Sequence, residues 1–243
     1  MKQVDIILAC FFVLFLKMDS ETKFMQNYSA ILMSTAYLPS IEYMAYLSRN
    51  ENITIEKEET YPKQTYRNRC KILAANGVLI LSIPVRKNHG NSTKTKDITI
   101  INSNNWFTNH WRAISSAYSS SPFFLYYKDE LEQFFLGKYD SLLKYNTELT
   151  NKLLTLTNIK CELKYSESFT AIEKLQESSV ADDKPQNDLR YYLNPKNQVN
   201  SENFKEYMQV FANKFSFKPN LSFIDLLFNI GPEAKDYLKT VKL

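Results

Sequence analysis

Glycine is nearly missing: the chain of 243 residues holds four, scattered along its length. A phosphate-cradling loop needs several glycines within one turn, so glycine-rich phosphate motifs are excluded. Cysteine is scarce as well, with Cys10, Cys70 and Cys161 in no metal-binding spacing. An odd, small number of this kind fits a reducing compartment, so a cytoplasmic setting is expected and no metal site is. The two histidines, His89 and His110, cannot supply a metal cluster, and no serine elbow or close Cys–His pair is present. A net charge of +4 without a dense basic run argues against nucleic acid as a partner. None of these patterns identifies a cofactor, which stays unknown at this stage.

Long apolar runs are also lacking. The longest, residues 6–16, is too short to span a bilayer, so no stable membrane insertion is expected. Its length suits a signal-peptide core, yet Asp5 sits in what should be a basic leader and no small-residue cleavage site follows. Further methionines occur at Met18, Met25 and Met33. Residues 1–25 are therefore read as an extension arising from a mis-assigned start, with a poor signal or anchor as the alternative. Residues 26–243 are expected to form one domain, with a polar, poorly ordered linker at 168–187 and a helical tail at 188–243.

What the chain does have is aromatic rings, 16 Phe and 16 Tyr. Tyrosine in such numbers suggests a core or cleft whose hydroxyls still need partners. The pattern predicts an α/β fold: a mixed β-sheet with a β-α-β start, an Asn-Gly hairpin and a further edge strand, packed with several C-terminal helices. A small apolar strand at 29–35 leads through a turn at 36–39 into a helix starting at Pro39 or Ser40, then a period-two strand at 52–57. That order normally gives a right-handed parallel crossover. Asn76-Gly77 between apolar runs at 70–74 and 78–85 signals a hairpin. Residues 86–96 read as a mobile polar loop holding His89, a histidine more simply solvated than catalytic. A strand is expected at 97–102. Helices are expected from Asn104 or Asn105 to about 119, from Pro122 to about 137, at 139–157, at 201–214 and at 223–229, with a strand at 160–165 and a short helix at 171–176. Their ring-rich stripes are read as core.

Residues 58–69, Glu-Glu-Thr-Tyr-Pro-Lys-Gln-Thr-Tyr-Arg-Asn-Arg, crowd charges, phenols and amides into a loop without glycine. Long donor-rich side chains of this type grip carboxylates, phosphates and sugar hydroxyls; the plainer reading is a solvated connection. In parallel sheets ligands sit beyond the carboxyl ends of strands, so this loop and the 36–39 turn should meet at one rim. His110 is the one credible acid–base histidine, and a core or capping histidine is the alternative.

Several motifs in fixed order carry a resemblance. Tyr37-Leu38-Pro39 with Tyr43, Tyr61-x-Lys63-x-x-Tyr66-x-Asn68-Arg69, Leu81-Ser82-Ile83-Pro84-Val85, Trp106-x-x-x-His110-Trp111-Arg112, Ala117-Tyr118, Ser121-Pro122-Phe123 and Asn146 together resemble the WbqC-like proteins. The tail from Tyr207 to Glu233 is similar to a subset of the same family. The resemblance implies bacterial O-antigen or other surface-polysaccharide synthesis, with transfer of glycine or another acyl group to an amino sugar or nucleotide-sugar. A non-catalytic glycan or nucleotide-sugar binding protein is the alternative. For transfer, His110 or Glu58 would be the base. Lys63, Asn68 and Arg69 would hold oxyanion or phosphate groups. Tyr37, Tyr43, Tyr61 and Tyr66 would line the sugar site, and Arg112 and Tyr118 would complete the rim. Ser34-Thr35-Ala36 stand where many members show Gln-Pro-Asn, which bears on the substrate. The Phe-rich tail offers a surface for a partner or a second copy, so a homodimer is among the expectations.

Overall fold

A strand, a helix and a second strand open the fold. In the computed structural model, which describes residues 31–169 and 188–243, β1 (Ile31–Met33) runs parallel to β2 (Asn52–Ile55) across α1 (Ile41–Arg49). Ser40 caps α1 by accepting from the Tyr43 amide at 3.3 Å. Ile53 and Ile55 alternate inward, and β7 (Glu162–Tyr165) adds in parallel on the far side of β2. The mixed α/β architecture is as expected, with the strands shared among three small sheets, the first of which is β1-β2-β7.

The apolar run 78–85 divides at a proline. β3 (Arg69–Ala74) pairs antiparallel with β4 (Gly77–Ser82) through the Asn76-Gly77 turn. Pro84 lacks an amide to continue the ladder, so β5 (Val85–Lys87) leaves and pairs with β6 (Ile98–Ile100). Of residues 86–96, expected to be a mobile loop, Arg86 and Lys87 belong to β5 and the remainder is pinned. Tyr61 N donates to Thr93 O at 2.9 Å, Thr95 N donates to Glu59 O at 2.9 Å, and Thr93 and Thr95 are fully buried.

Helices α2 (Trp106–Tyr118), α3 (Phe124–Glu132) and α4 (Leu142–Leu156) follow, and their ring and leucine stripes enter the core as expected. The expected helix at 201–214 is absent beyond a single turn, Ser201–Asn203. Tertiary bonds replace it: the Gln209 amide pairs reciprocally with the Lys218 main chain at 3.0 and 2.9 Å, and Tyr207 and Gln209 both donate to buried Asp225. The tail ends in α5 (Phe223–Ile230) and α6 (Ala234–Thr240). Phe223, Leu226, Leu227 and Phe228 are fully buried, so the tail's apolar face is spent inside the chain. Residues 1–30 and 170–187, including the short helix expected at 171–176, lie outside the described residues.

Gly231 joins α5 to the last turn at φ +56°, and a Cβ there would lie 2.5 Å from the Phe123 ring. Backbone strain and overpacking act together at this position. Gly231→Ala is expected to cost about 3 kcal/mol, read as a lower urea midpoint with unchanged slope. A variant as stable as the wild type would show that the α5–α6 corner repacks freely.

Candidate functional site

The site starts at the turn after β1. Leu38 is held at φ +40°, an uncommon backbone for a non-glycine residue. The turn keeps it because the tail clamps both sides. Ser222 Oγ donates to Leu38 O at 2.9 Å, Phe223 N to Pro39 O at 2.8 Å, and Ser222 N to Lys71 O in β3 at 2.7 Å. On the other side Tyr37 N donates to Tyr66 O at 2.9 Å, so the turn and the 58–69 loop do meet. The result drives the Tyr37 ring into the core, where its hydroxyl lies 2.8 Å from His110 Nδ1.

Tyr37, Trp106, His110 and Tyr145 form one aromatic cluster. Ring centroids lie 5.7 Å apart for Tyr37–His110, 5.2 Å for Trp106–His110, 6.0 Å for Tyr37–Tyr145 and 5.6 Å for Trp106–Tyr145. Burial pushes the His110 pKa down to about 4, opposed by a hydrogen bond to the Ser82 main chain. Which of the Tyr37 hydroxyl and His110 Nδ1 donates follows the tautomer of the ring. His110 is a neutral imidazole at physiological pH, and burial raises the Tyr37 phenol well above its ordinary value.

Around this pair the hydrogen bonding is incomplete. Buried side-chain atoms without a partner among the described residues are Tyr61 Oη, Asn68 Oδ1, Arg69 Nε, Trp106 Nε1, Tyr145 Oη and Asn146 Oδ1, with Asn102 Oδ1 a seventh. These residues are neighbours. Asn68 Nδ2 donates to Ile83 O at 2.9 Å, Arg69 stands opposite Ser82 in the hairpin, and Asn146 Nδ2 donates to Arg67 O at 2.7 Å. Unmet buried groups are rare in folded proteins, because each costs the desolvation of a donor or acceptor. Two of these open groups, Trp106 Nε1 and Tyr145 Oη, belong to residues of the aromatic cluster around His110.

Charge within the 58–69 loop goes elsewhere. Arg67 is buried and pairs bidentately with buried Glu59, both bonds 2.7 Å, and Thr95 Oγ1 donates to the same carboxylate at 3.3 Å. Arg67 also donates to Arg190 O at 3.4 Å; Arg190 in turn reaches Glu56 at 3.3 Å and Asp188 at 2.6 Å. This network ties β2, the loop and the start of the tail together. No separate role was expected for Glu56, Glu59, Arg67 or Arg190, because in the sequence a buried Arg–Glu pair looks like any surface pair.

The other expected residues divide. Tyr43 donates to Ser34 O at 2.9 Å, and Tyr66 is buried in the core; burial raises both phenols. Lys63 is exposed; its charge helps lower the pKa of Lys87, which burial lowers first, and Lys87 Nζ lies 5.4 Å over the Tyr61 ring. Glu58 is gripped by Lys94 and Lys96, each at 2.8 Å, which draw its carboxyl down to about 2. So strong an acid form makes it a poor proton acceptor near neutrality. Arg112 faces solvent, since two residues along a helix reverse the face. Tyr118 lies about 12 Å further along α2 than His110, and its hydroxyl is engaged by Asp225 at 2.8 Å and the Leu73 amide at 3.2 Å. Thus His110 and Tyr37 are in direct contact, Arg69 stands opposite Ser82, whose main chain bonds His110, and Asn68 is tied to Ile83. Lys63, Glu58, Arg112 and Tyr118 stand outside. Tyr145 was missed because a core tyrosine and a site tyrosine share the same helical spacing.

Among the described residues no group of His, Cys, Asp and Glu could hold a metal ion. No helix among them is long and apolar enough to cross a membrane.

Fold and site define an α/β protein with an aromatic, histidine-centred polar cluster closed by its own tail. The WbqC-like protein family model matches residues 35–237, a span that runs from this turn through the tail, and the chain belongs to that family. It is similar to the uncharacterized protein Rv1507c of Mycobacterium tuberculosis, 24% identical over 226 residues, covering 86% of this chain and 96% of that one. No solved structure matches the chain.

Proposed function

We propose that the chain is an acyl- or aminoacyltransferase acting on an amino sugar or nucleotide-sugar in bacterial surface-polysaccharide synthesis. The observation that carries this reading is the set of unpaired buried donors and acceptors around the Tyr37–His110 pair. An amine attacking an activated carbonyl forms the C–N bond and breaks the carbonyl–leaving-group bond. It must also lose a proton and pass through an oxyanion. Neutral His110 would take the proton by way of the Tyr37 hydroxyl and return it to the leaving group. Arg69 Nε–H, Trp106 Nε1–H and the Tyr145 hydroxyl are the donors for the oxyanion, and Asn68 Oδ1 and Asn146 Oδ1 accept from amine or hydroxyl groups. Lys63 and Lys87 flank Tyr61 as a positive rim for an anionic leaving group or phosphate.

A second reading, a binding module without turnover, draws on the same cluster. Both nitrogens of His110 are engaged within the chain, as in a structural histidine.

The test is a thermal-shift screen with nucleotide-linked amino sugars and activated aminoacyl donors. Ligand at a hundred times its dissociation constant stabilises by about 2.7 kcal/mol. For a chain of this size that is a rise of about 5–10 °C. A rise with both substrate classes supports transfer, a rise with the sugar alone supports the binding module, and a flat response to every nucleotide sugar overturns both.

A further inference from the structure

The β3–β4 hairpin is closed on one edge and open on the other. On the β3 side Ser222 N donates to Lys71 O at 2.7 Å, and Leu73 N donates to Tyr118 Oη at 3.2 Å. Lys71 and Leu73 thus turn their main-chain groups away from β4. In an antiparallel pair the residues opposite them, Ile80 and Val78, must then turn theirs away from β3. No strand, bridge or loop bond among the described residues meets those groups. The side chains are open too: Val78 is 46% exposed, Leu79 39% and Ile80 52%, the only three consecutive exposed large hydrophobic residues among those described. Free edges are normally blunted by lysine, proline or a bulge, and Gly77–Ser82 has none of these. We propose that β4 is a dimerisation strand, pairing antiparallel with β4 of a second copy about a two-fold axis at Leu79.

The edge is its own complement. An axis at Leu79 sets Val78 of each copy opposite Ile80 of the other, and each such pair exchanges two N–H···O=C bonds. Every main-chain group that Val78 and Ile80 leave open is then used. Charge selects the same occupant. The strand carries no charge, so a second copy brings none to the seam, whereas a charged peptide would set its charges against Val78 and Ile80. The nearest cations on the hairpin, Arg69 and Lys71, lie one strand back, and Lys71 Nζ is tied to Pro195 O at 2.9 Å. The edge is also pre-organised: β3 is anchored as above, and Lys214 Nζ donates to Ala75 O at the hairpin tip, so little ordering is needed on pairing. One short strand is a small seam, below the roughly 1,200 Å² of stable interfaces, so the dissociation constant should be on the order of 10–100 µM.

Sedimentation velocity of the full chain across about 5–500 µM is expected to show a monomer–dimer equilibrium. Ile80→Lys, at an exposed position, should weaken it at least about tenfold while keeping the melting temperature of the dilute protein. Cross-linking reads the register. The axis puts Leu79 opposite its own counterpart at a Cα separation of about 4.5 Å, within disulfide reach, so Leu79→Cys should form a covalent dimer under mild oxidation, above the wild-type background. In Ile80→Cys the like residues stand on the diagonal, about 7–8 Å apart, and should cross-link far more slowly. Faster cross-linking of Ile80→Cys than of Leu79→Cys overturns the two-fold register, and a dimer indifferent to Ile80→Lys overturns the surface. A chain monomeric at every concentration overturns the proposal as well. Hydrogen exchange at the Val78 and Ile80 amides then tells an unused edge, where they exchange freely, from one covered by another occupant, where they are protected.

Discussion

Arg67→Met should remove a large share of the protein's stability. Arg67 is 1% exposed and its partner Glu59 fully buried, so the substitution strands a carboxylate in the core with only Thr95 still donating to it. Breaking a buried pair from one side costs about 3–5 kcal/mol, against total stabilities of about 5–15 kcal/mol. The melting temperature should fall by about 10 °C or more. Arg67→Lys should recover only part of the loss, because an ammonium cannot make two parallel bonds to one carboxylate. The double variant Arg67→Met with Glu59→Leu should be more stable than Arg67→Met alone, since no charge is left behind. The effect also reaches the site: Arg67 lies between Tyr66, which holds the Tyr37 turn, and Asn68 and Arg69. A single variant melting within about 2 °C of the wild type would show that water reaches Glu59, and the network would lose its role in shaping the loop.

His110→Gln is the second large effect, and it shows in two measurements. Turnover should fall about 10²–10⁴-fold, the usual worth of a positioned proton acceptor, with amino-sugar affinity retained. In the wild type the pH dependence of kcat/KM should keep its acid limb near pH 4, because burial holds the imidazole neutral down to about that value. Stability follows the same group. The folded pKa lies below the ordinary value near 6.5, so the unfolded chain binds the proton first as pH falls. The contribution is complete above pH 6.5 and is lost as pH drops through the window to about 4. About 3 kcal/mol is at stake across that window. Denaturant melts of wild type and His110→Gln should therefore converge between pH 7 and pH 4. Parallel curves would mean that His110 titrates normally and is not buried as described. Retained turnover in His110→Gln would remove it as the base.

Much of this architecture could be read in advance, and for a definite reason. Ser40 and Asn76-Gly77 act through bonds to residues two to four positions away, so their consequences are written in local order. The stripes of α2 to α4 follow from helical period alone. The 201–214 segment shows the opposite case. Its spacing suits a helix, but Tyr207 and Gln209 gain a buried carboxylate and a main-chain pair that lie 9 to 18 residues away. Arg67 and Arg69 show it again, two residues apart in one loop: the first pairs bidentately with Glu59, and the second keeps a buried Nε without a partner among the described residues. Nothing in their immediate neighbours distinguishes them.

By itself the sequence determined the fold class, the starts of α1 and α2, the hairpin and the meeting of the 36–39 turn with the 58–69 loop, all of which rest on short-range pattern and chain direction. Only the tertiary structure decided which polar groups became a site. Burial sets which charges must find partners and which hydrogen bonds go unmade, and burial is a property of the packed whole. That is why a loop chosen for its exposed cations proved to be held by a buried ion pair, while the open valences gathered around Tyr37 and His110.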